Sequence, residues 1–346
     1  IMNRTEDRAA GCLLGGAAGD ALGYPVEFME ADAIFRRYGE RGIVKYDLIG
    51  GKALISDDTQ MTLFTAAGLL RAEAHAAFPT AAQYIRGIYE EYLNWLCTQD
   101  ETFALPQGVA RSPLLQERDL YSRRAPGGTC LSALASGKCG SFTEKLNRSK
   151  GCGGVMRVAP VAVHFAHKAV MPADVGYLAA RAAAITHSHP LGYIPAAYLA
   201  ELLLFLLRGE PLRTAAEAAW RDMYAIFDDD ADLQTFTQLL RRAAELAEAP
   251  AGSDDLDAIR ELGGGWVAEE TVAIALYCVL RYSDSFSDAL TASVNHDGDS
   301  DSTGAVTGNI MGALLGRNAM GDSFVRPLEL NDCILSMALA LIKERA

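Results

Sequence analysis

Apolar and polar residues alternate with a period near 3.6 along most of the chain, the spacing of amphipathic helices. The pattern predicts helices over 6–20, 59–74, 79–98, 173–186, 193–208, 211–226, 231–248, 268–281, 302–315 and 330–344. Start signals support several of them: Pro79-Thr80 opens one, Pro172 precedes another, and Pro211 begins a third. Strand signals are weak, and only 41–49 has some β character. Glycine-rich loops interrupt the helices at 125–129, 151–154 and 263–265. The least periodic stretch is 99–126, which reads as a variable loop near a site. No linker is long or polar enough to divide the chain. The expectation is therefore a single domain over 1–346: an all-α, compact, orthogonal helical bundle.

Two glycine series stand out inside predicted helices. Gly11, Gly15, Gly19 and Gly23 recur every four residues, and so do Gly304, Gly308, Gly312 and Gly316. Each mid-helix glycine costs about 1 kcal/mol relative to alanine. Four on one face make sense if they let another backbone approach closely, so the two helices are expected to pack tightly, on each other in the simplest case.

Composition narrows the function. The chain of 346 residues carries 44 acidic and 31 basic side chains, a net charge of −13. That balance argues against nucleic acid and against an anionic membrane surface. No run of about 18 uninterrupted apolar residues is present, so no membrane partner is expected. Seven cysteines at irregular spacing, with no C-x-x-C pair, exclude zinc-finger and thioredoxin-like patterns and suit a reducing, cytoplasmic setting.

The strongest chemistry lies in two short segments, each just ahead of a predicted helix: Ser56-Asp57-Asp58-Thr59 and Asp297-Gly298-Asp299-Ser300-Asp301-Ser302-Thr303. Carboxylates and hydroxyls without thiols suit hard divalent cations such as Mg²⁺, Mn²⁺ or Ca²⁺. A competing reading of Ser56 to Thr59 is a helix N-cap, with acids favoured by the helix dipole. The second segment lacks the spacing and final glutamate of an EF-hand. Acids this dense repel one another and raise one another's pKa values, and a shared cation would relieve that. The loop Gly151 to Arg157 reads either as a phosphate cradle or as a tight turn. Thr186-His187-Ser188-His189-Pro190 ends a helix, where a histidine is usually a dipole partner. Asp228-Asp229-Asp230 reads as a solvated turn without a role.

Taken in order, these segments resemble the ADP-ribosylglycohydrolase family. The matching stretches are Arg8 to Asp20 through Glu27, Ser56 to Thr59, Pro126 to Cys130, Gly151 to Pro160, Thr186 to His189, and Asp297 to Gly304. They run nearly from end to end. The resemblance implies an all-helical fold with a dinuclear Mg²⁺ or Mn²⁺ site in a cleft. It implies Ser56, Asp57, Asp58, Asp299, Asp301 and Ser302 as metal ligands. It implies Glu27, Asp57, Asp58 and Asp301 as the acids of catalysis, and Gly127, Gly128, Gly153, Gly154 and His187 as substrate contacts. Seven acids (Asp20, Glu27, Asp57, Asp58, Asp297, Asp299 and Asp301) fall in the expected site region. Two departures stand out: Cys152 where the family often has asparagine, and Ser56 and Ser302 where some members have threonine. The implied reaction is hydrolysis of the bond between ADP-ribose and a modified protein side chain, arginine first and serine second. The implied partners are an ADP-ribosylated protein, ADP-ribose as product, and a cognate ADP-ribosyltransferase. The alternative is an immunity protein that neutralises such a transferase by contact.

Overall fold

The computed structural model describes residues 2–228, 231–250 and 252–343. Among these the ordered elements are sixteen α-helices and a few 3₁₀ turns. In chain order the helices are α1 (Arg4–Gly23), α2 (Ala31–Tyr38), α3 (Asp57–His75), α4 (Ala81–Gln99), α5 (Gly128–Ala135) and α6 (Ala159–Phe165). They continue with α7 (Pro172–Ala184), α8 (Pro190–Leu207), α9 (Leu212–Ile226), α10 (Ala231–Ala247), α11 (Asp255–Leu262) and α12 (Ala268–Arg281). The last four are α13 (Phe286–Val294), α14 (Ser300–Leu315), α15 (Asp322–Val325) and α16 (Asn331–Leu341). The protein is all-helical, and all ten predicted helices are present. Residue 344 of the last prediction, and Asp229 and Asp230 of the acidic turn, lie outside the described residues.

Local chemistry sets several boundaries. Asn3 Oδ1 accepts from the Thr5 and Glu6 amides, and Glu6 returns the bond to Asn3 N, a capping box that starts α1. Thr80 and Gln83 do the same for α4. The sequence missed α2, α5, α6, α11, α13 and α15 because each has nine residues or fewer, too short for the period to emerge. The β character at 41–49 does not become a strand. Ile43 spends its amide and carbonyl on one side chain, Asn295, at 2.8 and 3.0 Å. Within the stretch, Ile49 alone forms an isolated bridge, to Lys52.

The centre of the bundle is the pairing of α1 with α14. The two run antiparallel and touch glycine to glycine. A Cβ added at Gly11 would lie 2.5 Å from the Gly312 carbonyl oxygen, one at Gly15 2.3 Å from that of Gly308, and one at Gly19 1.8 Å from that of Gly304. The reciprocal additions at Gly304, Gly308 and Gly312 meet the α1 backbone just as closely. No other residue fits at these contacts. The consequence is a fixed register. It places the C-terminal end of α1, with Asp20 and the turn to Glu27, against the N-terminal end of α14, with Asp299 and Asp301.

Around this pair, α3, α6, α8 and α12 complete a core rich in alanine, leucine and valine. Among the described residues, α8 is the one helix long and apolar enough to cross a membrane, and 89% of it is buried inside the protein. It is the core helix that covers α6, α7 and α12.

Candidate functional site

Two helix N-termini meet at the site. At α3, Ser56 caps the helix by accepting from the Asp58 amide at 3.2 Å. At α14, Asp299 is the cap residue and Asp301 lies in the first turn. The capping reading of Ser56 and the clustering of acids are therefore both true of the same residues. Positive helix ends favour carboxylates at such positions.

The acids converge. Asp57, Asp58 and Asp301 each bring an oxygen within 4.8 Å of the other two, and so do Glu27, Asp299 and Asp301. Asp301 belongs to both groups. All five side chains are buried. Glu27 Oε2 and Asp58 Oδ2 are buried with no hydrogen-bond partner. A buried, unsatisfied carboxylate oxygen is expensive unless something neutralises it. Oxygen donors arranged in two overlapping groups, two of them orphaned, suit hard divalent cations.

The electrostatics agree. Burial, then the charges of Asp301 and Asp57, push the Glu27 carboxyl up to about 10. Burial, then Asp301, raises Asp57 and Asp58 well above the carboxylate range. Burial, then Asp299, does the same to Asp301. Asp299 is raised to about 6 by burial, held lower by its hydrogen bonds. One of these comes from the Cys152 thiol, which donates to Asp299 Oδ2 at 2.8 Å. Ser302 lies beside that sulfur at 3.5 Å.

A cavity of about 290 Å³ opens above the acids. Glu27, Asp57, Asp58, Asp299, Asp301 and Ser302 form part of its wall. Gly127, Gly128, Gly151, Gly153 and His187 form another part. The Gly127 amide donates to Asp57 Oδ2 at 3.2 Å, which ties the glycine loop to the acid cluster. Gly127 and Gly128 have open space where a Cβ would stand. Gly153 does not: its Cβ would lie 2.9 Å from His187 Cε1. At the mouth, the exposed rings of Phe28 and Trp266 stack at 5.8 Å between centroids and 18° between planes.

Some expected residues lie elsewhere. Gly154 does not line the cavity, and packs against Ala183 and the Gly192 carbonyl. Asp297 points away from the cluster. Its oxygens accept from the Ala31 amide at 2.7 Å and pair with Arg260 at 2.6 Å, so it caps α2. Asp20 lies beneath the cavity and accepts from Ser56 N, Thr59 N and the Thr59 hydroxyl. Ser56 is buried beneath the wall beside it. Asp228 is exposed.

Sequence reasoning missed the clamp that holds the Ser56 turn. Arg124 donates to the Ile55 carbonyl and pairs with Glu329, which in turn accepts from the Ile55 amide. These three residues are far apart in sequence and carry no local signal. Phe28 and Trp266 were also missed. Both flank segments already singled out, Glu27 and the glycines at 263–265, and an aromatic adjoining such a segment was the available sign.

Fold and site together define an all-helical protein with a cleft walled by buried carboxylates and glycine loops. The ADP-ribosylglycohydrolase family model matches residues 2–346, and the chain belongs to that family. The chain is 26% identical over 334 residues to the ADP-ribosyl-[dinitrogen reductase] glycohydrolase of Rhodospirillum rubrum, covering 94% of this chain and 91% of that one. It is 25% identical over 359 residues to the ADP-ribosylhydrolase ARH3 of Mus musculus, covering 94% and 88%. A solved structure described as an ADP-ribosylglycohydrolase-related protein complex superposes with a TM-score of 0.65 at 26% identity, covering 98% of both chains. Family membership supports hydrolysis of ADP-ribose linkages.

Proposed function

We propose that this chain releases ADP-ribose from a modified protein side chain, arginine in the first place, with two divalent cations, Mg²⁺ or Mn²⁺, in the acid cluster. The observation that carries the reading is the position of Asp301 in both oxygen groups, beside two orphaned carboxylate oxygens. Asp57, Asp58, Asp299, Asp301 and Glu27 would hold the cations through the converging oxygens, with Ser302 on the cavity wall and Ser56 from beneath it. Bound there, the cations would bind ribose hydroxyls and lower the pKa of the attacking water.

The chain's own residues account for the rest. Cleavage at ribose C1″ builds positive charge on the sugar, as in glycoside hydrolysis. Carboxylates around the cleft stabilise such charge, and they also suit the cationic guanidinium of an arginine acceptor. Proton transfer falls to Glu27, Asp57, Asp58 or Asp301, which face the same space. Gly127, Gly128 and Gly153 present backbone rather than side chains to the cavity, which would suit the diphosphate. His187 lines the same cavity, with its ring against Gly151 and Gly153.

The test is incubation with proteins ADP-ribosylated on arginine or on serine, with Mg²⁺ or with a chelator, reading free ADP-ribose. Metal-dependent release from arginine is expected, and Asp58→Ala or Asp301→Ala should reduce it about 100-fold or more while the fold persists. Undiminished release by the folded variants under chelation would overturn the reading. Release from serine alone would move the acceptor.

A further inference from the structure

Arg157 is a fully buried cation with an unusual set of neighbours. It is wholly inaccessible, and among the described residues no carboxylate pairs with it. Its guanidinium lies over the Tyr92 ring at 4.3 Å. One terminal nitrogen donates to the Ala182 carbonyl at 3.1 Å and to the Thr186 hydroxyl at 2.8 Å. The other rests on the sulfurs of Cys130 and Met61. Burying a guanidinium without a counter-ion is costly and calls for a reason.

The reason lies one bond further on. Thr186 Oγ1, itself buried, is 2.8 Å from His187 Nδ1. An arginine can only donate, so Thr186 Oγ1 accepts from it. The threonine proton is then free for an acceptor. The candidates are the imidazole nitrogen at 2.8 Å and the nearby Cys130 sulfur, a weak acceptor. The positive charge of Arg157 also disfavours a second N–H directed at the same oxygen. Both arguments put the lone pair on Nδ1 and the proton on Nε2. The Nε2 edge faces the cavity loop: a Cβ at Gly151 would stand 3.4 Å from it and one at Gly153 3.2 Å. The missing side chains at 151 and 153 keep that edge clear.

We propose that Arg157 and Thr186 are positioning residues that fix His187 as the Nε2–H tautomer, so that it donates a hydrogen bond to an oxygen of bound ADP-ribose. The direction Arg157 to Thr186 to His187 is set by donor and acceptor chemistry and needs no metal. Burial, followed by the Arg157 charge, lowers His187 to about 3, so the ring is neutral and has a single N–H to place. The part concerning ADP-ribose rests on the proposed function; the tautomer does not.

The experiment is ¹⁵N NMR of histidine-labelled protein, free and titrated with ADP-ribose, for the wild type, Thr186→Ser and Thr186→Val. The wild type and Thr186→Ser should show a protonated Nε2 and a bare Nδ1. Thr186→Val should lose that preference and bind ADP-ribose about tenfold more weakly, with Thr186→Ser restoring the affinity. A wild-type Nδ1–H tautomer would overturn the relay, as would a Thr186→Val protein with unchanged tautomer and affinity. If Thr186→Val fails to fold, the wild-type and serine spectra still decide. A correct tautomer whose signals ADP-ribose leaves unmoved, although it binds, would overturn the donation and leave the hydrolase reading standing. Failure of ADP-ribose to bind at all would instead count against the hydrolase reading.

Discussion

The Asp20 carboxylate, at the end of α1, accepts the hydroxyl of Thr59 in α3 at 2.5 Å. The same carboxylate takes the Ser56 and Thr59 amides. A buried acid that never reaches the cavity thus fixes the start of the helix that carries Asp57 and Asp58. Asp20→Asn turns amide protons toward amide protons. It is expected to cost about 1–3 kcal/mol of stability and to lower activity by moving the acids. Urea denaturation and turnover check it; a variant with wild-type values for both would sink the idea.

The raised carboxyls predict how the metal-free protein responds to pH. Asp20 and Asp299 titrate near 6 and Glu27 near 10 in the fold, against about 4 in the unfolded chain. Across that window the folded state holds more protons than the unfolded one. Stability is therefore present at low pH and is lost as pH rises through the folded values. With a chelator, the unfolding midpoint should fall between pH 5 and pH 8. Mg²⁺ or Mn²⁺ should raise it, more at pH 8 than at pH 5, because the cation takes the place of the lost protons. A midpoint that ignores both pH and cation would contradict the assignment.

Two glycines should separate packing from function. A methyl at Gly19 would lie 1.8 Å from the Gly304 carbonyl oxygen, whereas one at Gly127 meets nothing within 4 Å. Gly19→Ala is expected to destabilise by about 1–3 kcal/mol and to disturb the site. Gly127→Ala should leave the unfolding midpoint unchanged and raise KM, because its methyl enters the cavity. Equal stability losses in the two variants would refute the distinction.

Phe28 and Trp266 should act on the substrate side alone. Both are exposed, and their stack closes over the mouth. Trp266→Ala removes an aromatic pair worth about 0.5–1.5 kcal/mol. Stability should change little, and KM for an ADP-ribosylated protein should shift several-fold with kcat nearly constant. A pure kcat effect would place the tryptophan in the chemistry instead.

Much of this was legible in the sequence, for identifiable reasons. Long helices announce themselves through their period, so α3, α4 and α8 could be read directly. Glycines every fourth residue have few uses, so tight packing of α1 and α14 followed from steric cost, while the structure supplied the partner: each packs on the other. Four acids of the cluster, Asp57, Asp58, Asp299 and Asp301, could be named because they crowd into two short segments; Glu27 came only from the family resemblance. What stayed hidden depends on residues brought together from far apart. Asp297 sits in the same segment as Asp299, yet it turns to Arg260 and the start of α2. Its neighbours in space, not in sequence, decide that. The Arg124–Glu329 clamp and the Arg157–Thr186–His187 relay were invisible for the same reason.

The glycine contact between α1 and α14 also has a kinetic side. Gly11 and Gly312 meet although they are about 300 residues apart, a separation that makes loop closure slow. During synthesis the first half of the acid cluster emerges early and waits without its partner. The cleft can close only after α14 has left the ribosome. Activity in this architecture is a late event in the life of the polypeptide, and a stalled or incomplete chain carries the acids of α3 without the means to use them.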